Sequence, residues 1–115
     1  MLAALVESDP AIARRDAVLL AAVDFRRHDL VRWLLSMGAN ANARATALSR
    51  QSALHNAAWN GDLAMVKLLA DHGADLHARD GEHDATPRGW AETAVSVTNN
   101  PDCAGVAAWL AAQGG

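Results

Sequence analysis

Sulfur and aromatic chemistry are scarce in this chain of 115 residues, which has one cysteine, one phenylalanine and no tyrosine. A lone Cys103 excludes an internal disulfide and suits a reducing compartment. The shortage of β-branched and aromatic residues disfavours a sheet-dominated fold. Neither charge sign prevails: 10 Lys and Arg against 13 Asp and Glu give a formal net charge of −3. That balance leaves no electrostatic footprint for nucleic acid or an anionic membrane. No apolar run approaches the roughly 20 residues of a membrane span. The opening "MLAALVESDP" lacks a basic segment and its apolar run ends at Glu7, so it does not read as a signal peptide. What is abundant is alanine, the best helix former. The expectation is a soluble, cytoplasmic, all-helical protein with one core spanning residues 1–115.

The chain is similar to itself. Gly38 and Gly73 sit in "MGANANAR" and "HGADLHAR", separated by 73 − 38 = 35 residues. A shift of that size pairs Leu19 with Leu54, Ala22 with Ala57, Leu30 with Met65, Val31 with Val66, Trp33 with Leu68 and Leu34 with Leu69. The matches fall on apolar positions of two helices, so a packing unit is repeated. Such a unit cannot bury its apolar face alone; stacking the next copy buries it.

The period lies near the roughly 33 residues of one class of helical repeat. Ser52-Ala53-Leu54-His55 resembles the T-P-L-H tetrapeptide of ankyrin repeats. An "x-A-A-x-x-G" helix (Asn56 to Gly61), a "V-x-L-L" helix (Val66 to Leu69) and "G-A-D" (Gly73 to Asp75) follow in the family's order. A third copy restarts at Thr86-Pro87 and resumes at Trp109-Leu110 and Gly114; its spacing, 114 − 73 = 41, implies an insertion placed in "VSVTNNPDC". The resemblance implies an all-α ankyrin-repeat solenoid of paired antiparallel helices joined by β-hairpin-like loops. Its divisions are a half repeat at about 1–15, repeats at about 16–50 and 51–84, and a degenerate last repeat at about 85–115. The alanine-rich wording is similar to small bacterial arrays of this family.

Local signals agree. Thr86 reads as an N-cap with Pro87 at the first helical position, and Ser52 and Asp16 could cap their helices. Gly38 and Gly73 can take the left-handed conformation that ends a helix. Alanines 22, 57 and 58 belong where helices approach closely.

Several residues invite a chemical reading. His55 could be a general base or a metal ligand, but in the family this histidine hydrogen-bonds loop backbone at the repeat junction, and the other copies carry Leu20 and Gly89 instead. The segment "DHGADLHARDGEHD" holds His72, His77 and His83 among five carboxylates, yet no helical H-x-x-x-H spacing makes it a metal site. A solvated polar finger is the plainer reading. Trp33 and Trp109 take core slots, and Trp90 is expected to be at least half buried. Trp59 points toward the concave groove if the resemblance holds, with Asp24 and Phe25 aligned to Trp59 and Asn60.

The pattern also breaks. The first finger, "ANARATALSRQS", lacks the usual aspartate and glycine, so its tip, Arg44 to Arg50, is not expected to form the standard tight turn. Arg88 replaces a core leucine, so that edge must be exposed or Arg88 must meet a carboxylate such as Glu92. The insertion around Thr98-Asn99-Asn100-Pro101 reads as a loop between the last two helices.

The resemblance implies a non-catalytic protein that binds another protein through its concave side, meaning hairpin tips and first helices. The contact residues expected here are Phe25, Arg44, Arg50, Asn56, Trp59, Asn60, Arg79, Asp80, Glu82 and His83. No cofactor, metal, nucleic acid or membrane is expected as a partner, and uncovered repeat ends would permit self-association. Two rival readings are a metal-binding module or metal-dependent enzyme built on His72–His83, and a structural fragment of a larger repeat scaffold.

Overall fold

A computed structural model describes residues 16–45 and 50–114. Six helices follow one another: α1 (Asp16–Asp24), α2 (His28–Ser36), α3 (Ala53–Trp59), α4 (Leu63–Asp71), α5 (Pro87–Thr98) and α6 (Asp102–Ala112). They form three antiparallel pairs. An inner row runs α1, α3, α5 and an outer row α2, α4, α6, each helix packing on the next of its own row. The half repeat expected at 1–15 and most of the first finger's tip lie outside the described residues.

The 35-residue offset identifies the core. Leu19, Leu34, Val31 and Ala22, with their counterparts Leu54, Leu69, Val66 and Ala57, are all buried, none above 1% exposure. They share one cluster with Met65, Val106 and Leu110, which therefore runs through all three pairs. Alanines 57 and 58 are fully buried where α3 lies between α1 and α5. Larger side chains there would force the rows apart.

Ser52 caps α3 by accepting from the His55 N–H, and Thr86 caps α5 by accepting from the Gly89 N–H, with Pro87 at the first helical position. Gly38 (φ 96°) and Gly73 (φ 89°) end α2 and α4 in the left-handed region. Asp16 departs from expectation. It lies within α1, and its carboxylate instead accepts from the Arg44 N–H (3.4 Å), tying the first finger to the helix. The arms of that finger pair antiparallel through Arg44 and Ser52; among the described residues there is no longer strand.

The insertion is not the loop expected. The turn between α5 and α6 spans only residues 99–101, the same three-residue length as the turn 60–62 between α3 and α4. The extra residues lengthen the helices: α5 has 12 residues against 7 in α3, and α6 has 11 against 9 in α4. "AVSV" has no helix breaker, so the chain continues helically until Asn99 adopts a left-handed cap (φ 57°) before Pro101. Arg88 resolves both ways at once. Its side chain is 43% exposed and its Nε lies 3.6 Å from Glu92.

Candidate functional site

A groove of about 500 Å³ opens on the inner row, lined by Asp24, Asn56, Trp59, Asn60, His83, Ala85, Gly89, Trp90 and Thr93. Its floor has a simple origin in the repeat. Asp24, Trp59 and Thr93 occupy one register across α1, α3 and α5, since 59 − 24 = 35 and 93 − 59 = 34. Asn56 and Trp90 occupy another, since 90 − 56 = 34. The finger after α4 supplies the wall through His83 and Ala85.

Two indoles form the apolar part. Trp59 and Trp90 meet edge to face, centroids 6.0 Å apart and planes at 78°. Trp90 also meets the His55 ring at 5.0 Å and 63°. Its indole N–H donates to Asp80 Oδ1 (3.3 Å), so hydrogen bonding and packing together fix its orientation. Trp59 is anchored from behind, where the Cys103 thiol donates to its carbonyl (3.3 Å). Burial pushes the Cys103 thiol pKa up, so this sulfur is an inert donor.

His55 sits beneath the groove, fully buried. The Ser52 N–H donates to its Nδ1 (3.0 Å), which must therefore be the unprotonated nitrogen. Nε2–H then donates to the Ala85 carbonyl (2.8 Å), fastening the second finger to the base of α3. Burial lowers the His55 pKa, outweighing the Ala85 hydrogen bond and the nearby Asp80 charge, which act the other way. With both ring nitrogens engaged, His55 has no free position for a base or a ligand. The junction role implied by the family resemblance is the geometry present.

Asp80 holds the finger's shape. Its Oδ1 accepts from the Ala85 N–H (2.7 Å) and Trp90, and its Oδ2 from the His83 N–H (2.8 Å) and Glu82 N–H (3.2 Å). Burial by itself would raise its pKa. The bonds from His83, Ala85, Trp90 and Glu82 overcome this and hold it at about 2.

Of the residues expected to meet a partner, Asn56, Trp59, Asn60 and His83 come together in the groove. Arg44, Arg50, Arg79 and Glu82 lie outside its lining, on the fingers. Arg44 joins the two fingers, its Nε donating to the Arg50 carbonyl (3.1 Å) and its Nη2 to the Arg79 carbonyl. Arg79 reaches Asp84 through its carbonyl (3.0 Å) and carboxylate (3.4 Å). Phe25, in the turn after α1, is 77% exposed. Asp80 needs correction as a contact residue: it is 3% exposed, and both its oxygens are engaged within the molecule. Trp90, Thr93 and Asp24 belong to the lining but were not among the expected contacts. The signal for them was available, because shifting Asn56 and Trp59 forward by 34 lands on Trp90 and Thr93.

Among the described residues no three His, Cys, Asp or Glu side chains gather in a group able to hold a metal, and His72, His77 and His83 are each exposed and apart. Nor is any described helix long and apolar enough to cross a membrane.

No curated protein matches the chain closely. A family model described as ankyrin repeats (3 copies) matches residues 1–80. The pair α5–α6 lies beyond that match, yet it continues both rows of the stack. The tetrapeptide with its buried histidine, the paired rows of helices and the family match over more than half the chain agree, and the protein belongs to the ankyrin-repeat family.

Proposed function

We propose that this protein binds another protein through the groove on its inner helices and performs no catalysis. Ankyrin repeats are in general protein-interaction modules. The observation that carries the reading is the pairing of Trp59 and Trp90 with polar side chains left uncommitted. Among the described residues the side chains of Asn56, His83 and Thr93 make no hydrogen bond, and Asp24 makes only a 3.5 Å contact with Asn60. A half-buried aromatic corner rimmed by unsatisfied donors and acceptors is the composition of a binding hot spot. A free, buried Cys103 fits residence in the cytoplasm.

The test is a photo-crosslinking residue placed at Thr93 in the groove and, separately, at Lys67 on the exposed side of α4. A covalent adduct in the source cells is expected from the Thr93 position and not from Lys67. The Trp59→Ala substitution should weaken binding of the captured partner by about 2 kcal/mol. Adducts from Lys67 alone would move the interface to the outer row.

A further inference from the structure

The groove's lining specifies the kind of group it receives, and this inference rests on the groove being the binding site. Asp24 is the one carboxylate in the lining, and no Lys or Arg belongs to it. Arg26, two residues beyond Asp24, is turned onto the Asn60 carbonyl (2.7 Å) and is itself engaged. Two nearby donors are also engaged: the Trp90 N–H goes to Asp80, and the Ala85 N–H to the same carboxylate. The Ala85 carbonyl already accepts from His55 and from the Asp80 N–H. Of the groups left open, the Asp24 carboxylate is the one that only accepts; the Asn56 and Asn60 amides, the Thr93 hydroxyl and the His83 ring can accept or donate, and the Trp59 indole N–H donates.

A carboxylate with no Lys or Arg beside it in the lining, next to two indole rings at a steep angle, suits a flat cation with many donors. A guanidinium stacks on an indole face, is attracted by its quadrupole, and still presents N–H groups along its edge to a carboxylate and to amide oxygens. An ammonium would use the charge but not the plane. A quaternary ammonium would bring no donor to the rim, leaving the exposed Asp24 and Thr93 to water and forgoing those hydrogen bonds. An apolar side chain would do the same and leave Asp24 without a counter-charge. The volume, about 500 Å³, exceeds what the guanidinium alone needs and leaves room for the alkyl stem to lie along the aromatic corner.

We propose that the groove receives an arginine side chain from a partner protein, its guanidinium held between the Trp59–Trp90 corner and the Asp24 carboxylate, with Asn56 and Thr93 taking its remaining donors.

The chain carries its own reporter, because its four tryptophans divide into two in the groove and two, Trp33 and Trp109, on the outer row. The full protein, labelled with nitrogen-15, is titrated with blocked Gly-X-Gly tripeptides, where X is arginine, lysine, trimethyl-lysine, norleucine or glutamate. The arginine peptide is expected to move the Trp59 and Trp90 indole signals and leave those of Trp33 and Trp109 in place. It should bind about fivefold more tightly than the norleucine peptide, with lysine between them. Asp24→Asn should remove most of that preference while the four indole signals of the free protein stay dispersed.

Norleucine or trimethyl-lysine binding as tightly as arginine overturns the proposal while leaving the groove a binding site. So does an undiminished arginine preference in Asp24→Asn. Absence of any shift at Trp59 and Trp90 at about 10 mM of every peptide overturns it as well. The crosslinking result at Thr93 then decides separately whether the groove is a site at all.

Discussion

Replacing Asp80 by alanine tests how the finger and the groove are held together. The carboxylate accepts four hydrogen bonds, two at each oxygen. A hydrogen bond to a charged acceptor contributes about 1.5–3 kcal/mol when its donor has no substitute. The Glu82 and His83 amides lie on exposed residues and regain water, so each should count for little. Ala85 and Trp90 are half buried, and their donors are left poorly satisfied. Two such bonds with a small remainder place the cost near 3 kcal/mol, a large part of the 5–15 kcal/mol typical of a domain. Asp80→Asn is the finer probe. Its amide oxygen can keep the Ala85 and Trp90 bonds, but its NH2 then confronts the His83 and Glu82 amides, so it should lose about half as much. Urea unfolding followed by helical circular dichroism measures both. The carboxylate also leaves a pH signature. Its folded pKa, about 2, lies below the ordinary 3.8, so the folded state binds the proton less readily. Its stabilisation is therefore complete above pH 3.8 and drains away as pH falls toward 2, a slope that Asp80→Asn should abolish. A cost below about 1 kcal/mol for Asp80→Ala would show that the finger holds its shape without this carboxylate.

Burial lowers the His55 pKa below 6.5, so its share of stability is present above pH 6.5 and diminishes as pH falls below it. His55→Ala should lower overall stability by about 2–3 kcal/mol and flatten that limb of the pH profile, measured by thermal unfolding between pH 5 and 7 as a rough window. Gly61→Ala should cost about 2 kcal/mol or more in denaturant titration. Gly61 has φ 69°, and an added Cβ would meet Asn100 Nδ2 at 2.8 Å, Asp102 Cβ at 3.0 Å and the Cys103 backbone nitrogen at 3.1 Å. Phe25→Ser, at a residue 77% exposed, should change stability by no more than about 0.5 kcal/mol, and a larger loss would place Phe25 in an intramolecular contact.

Much of this architecture could be read before any coordinates, and the reason is repetition. A buried position that recurs 35 residues on must face the same neighbours in each copy, so Leu19 and Leu54, or Val31 and Val66, report the core without long-range information. The caps at Ser52 and Thr86 and the left-handed glycines at 38 and 73 are similarly local, set by a few atoms on either side. That Asn56, Trp59 and Asn60 face the groove was implied by the family resemblance, and all three line it.

Other features depended on which groups meet in space. "VSVTNNPDC" is an insertion by spacing, but whether it loops out or extends α5 depends on packing against α6, and the helix prevails. Asp80 resembles any exposed finger carboxylate until the turn from 80 to 85 folds three amides onto it and α5 brings Trp90 within reach. The sequence by itself determined the repeat, its register and its buried face, because those follow from periodic contacts between adjacent copies. Only the tertiary structure decided that Asp24, Trp59, Trp90 and His83 share one groove, and that Asp80 does not face it. Those placements arise where a finger, two inner helices and a turn converge from distant parts of the chain, and no local pattern encodes that convergence.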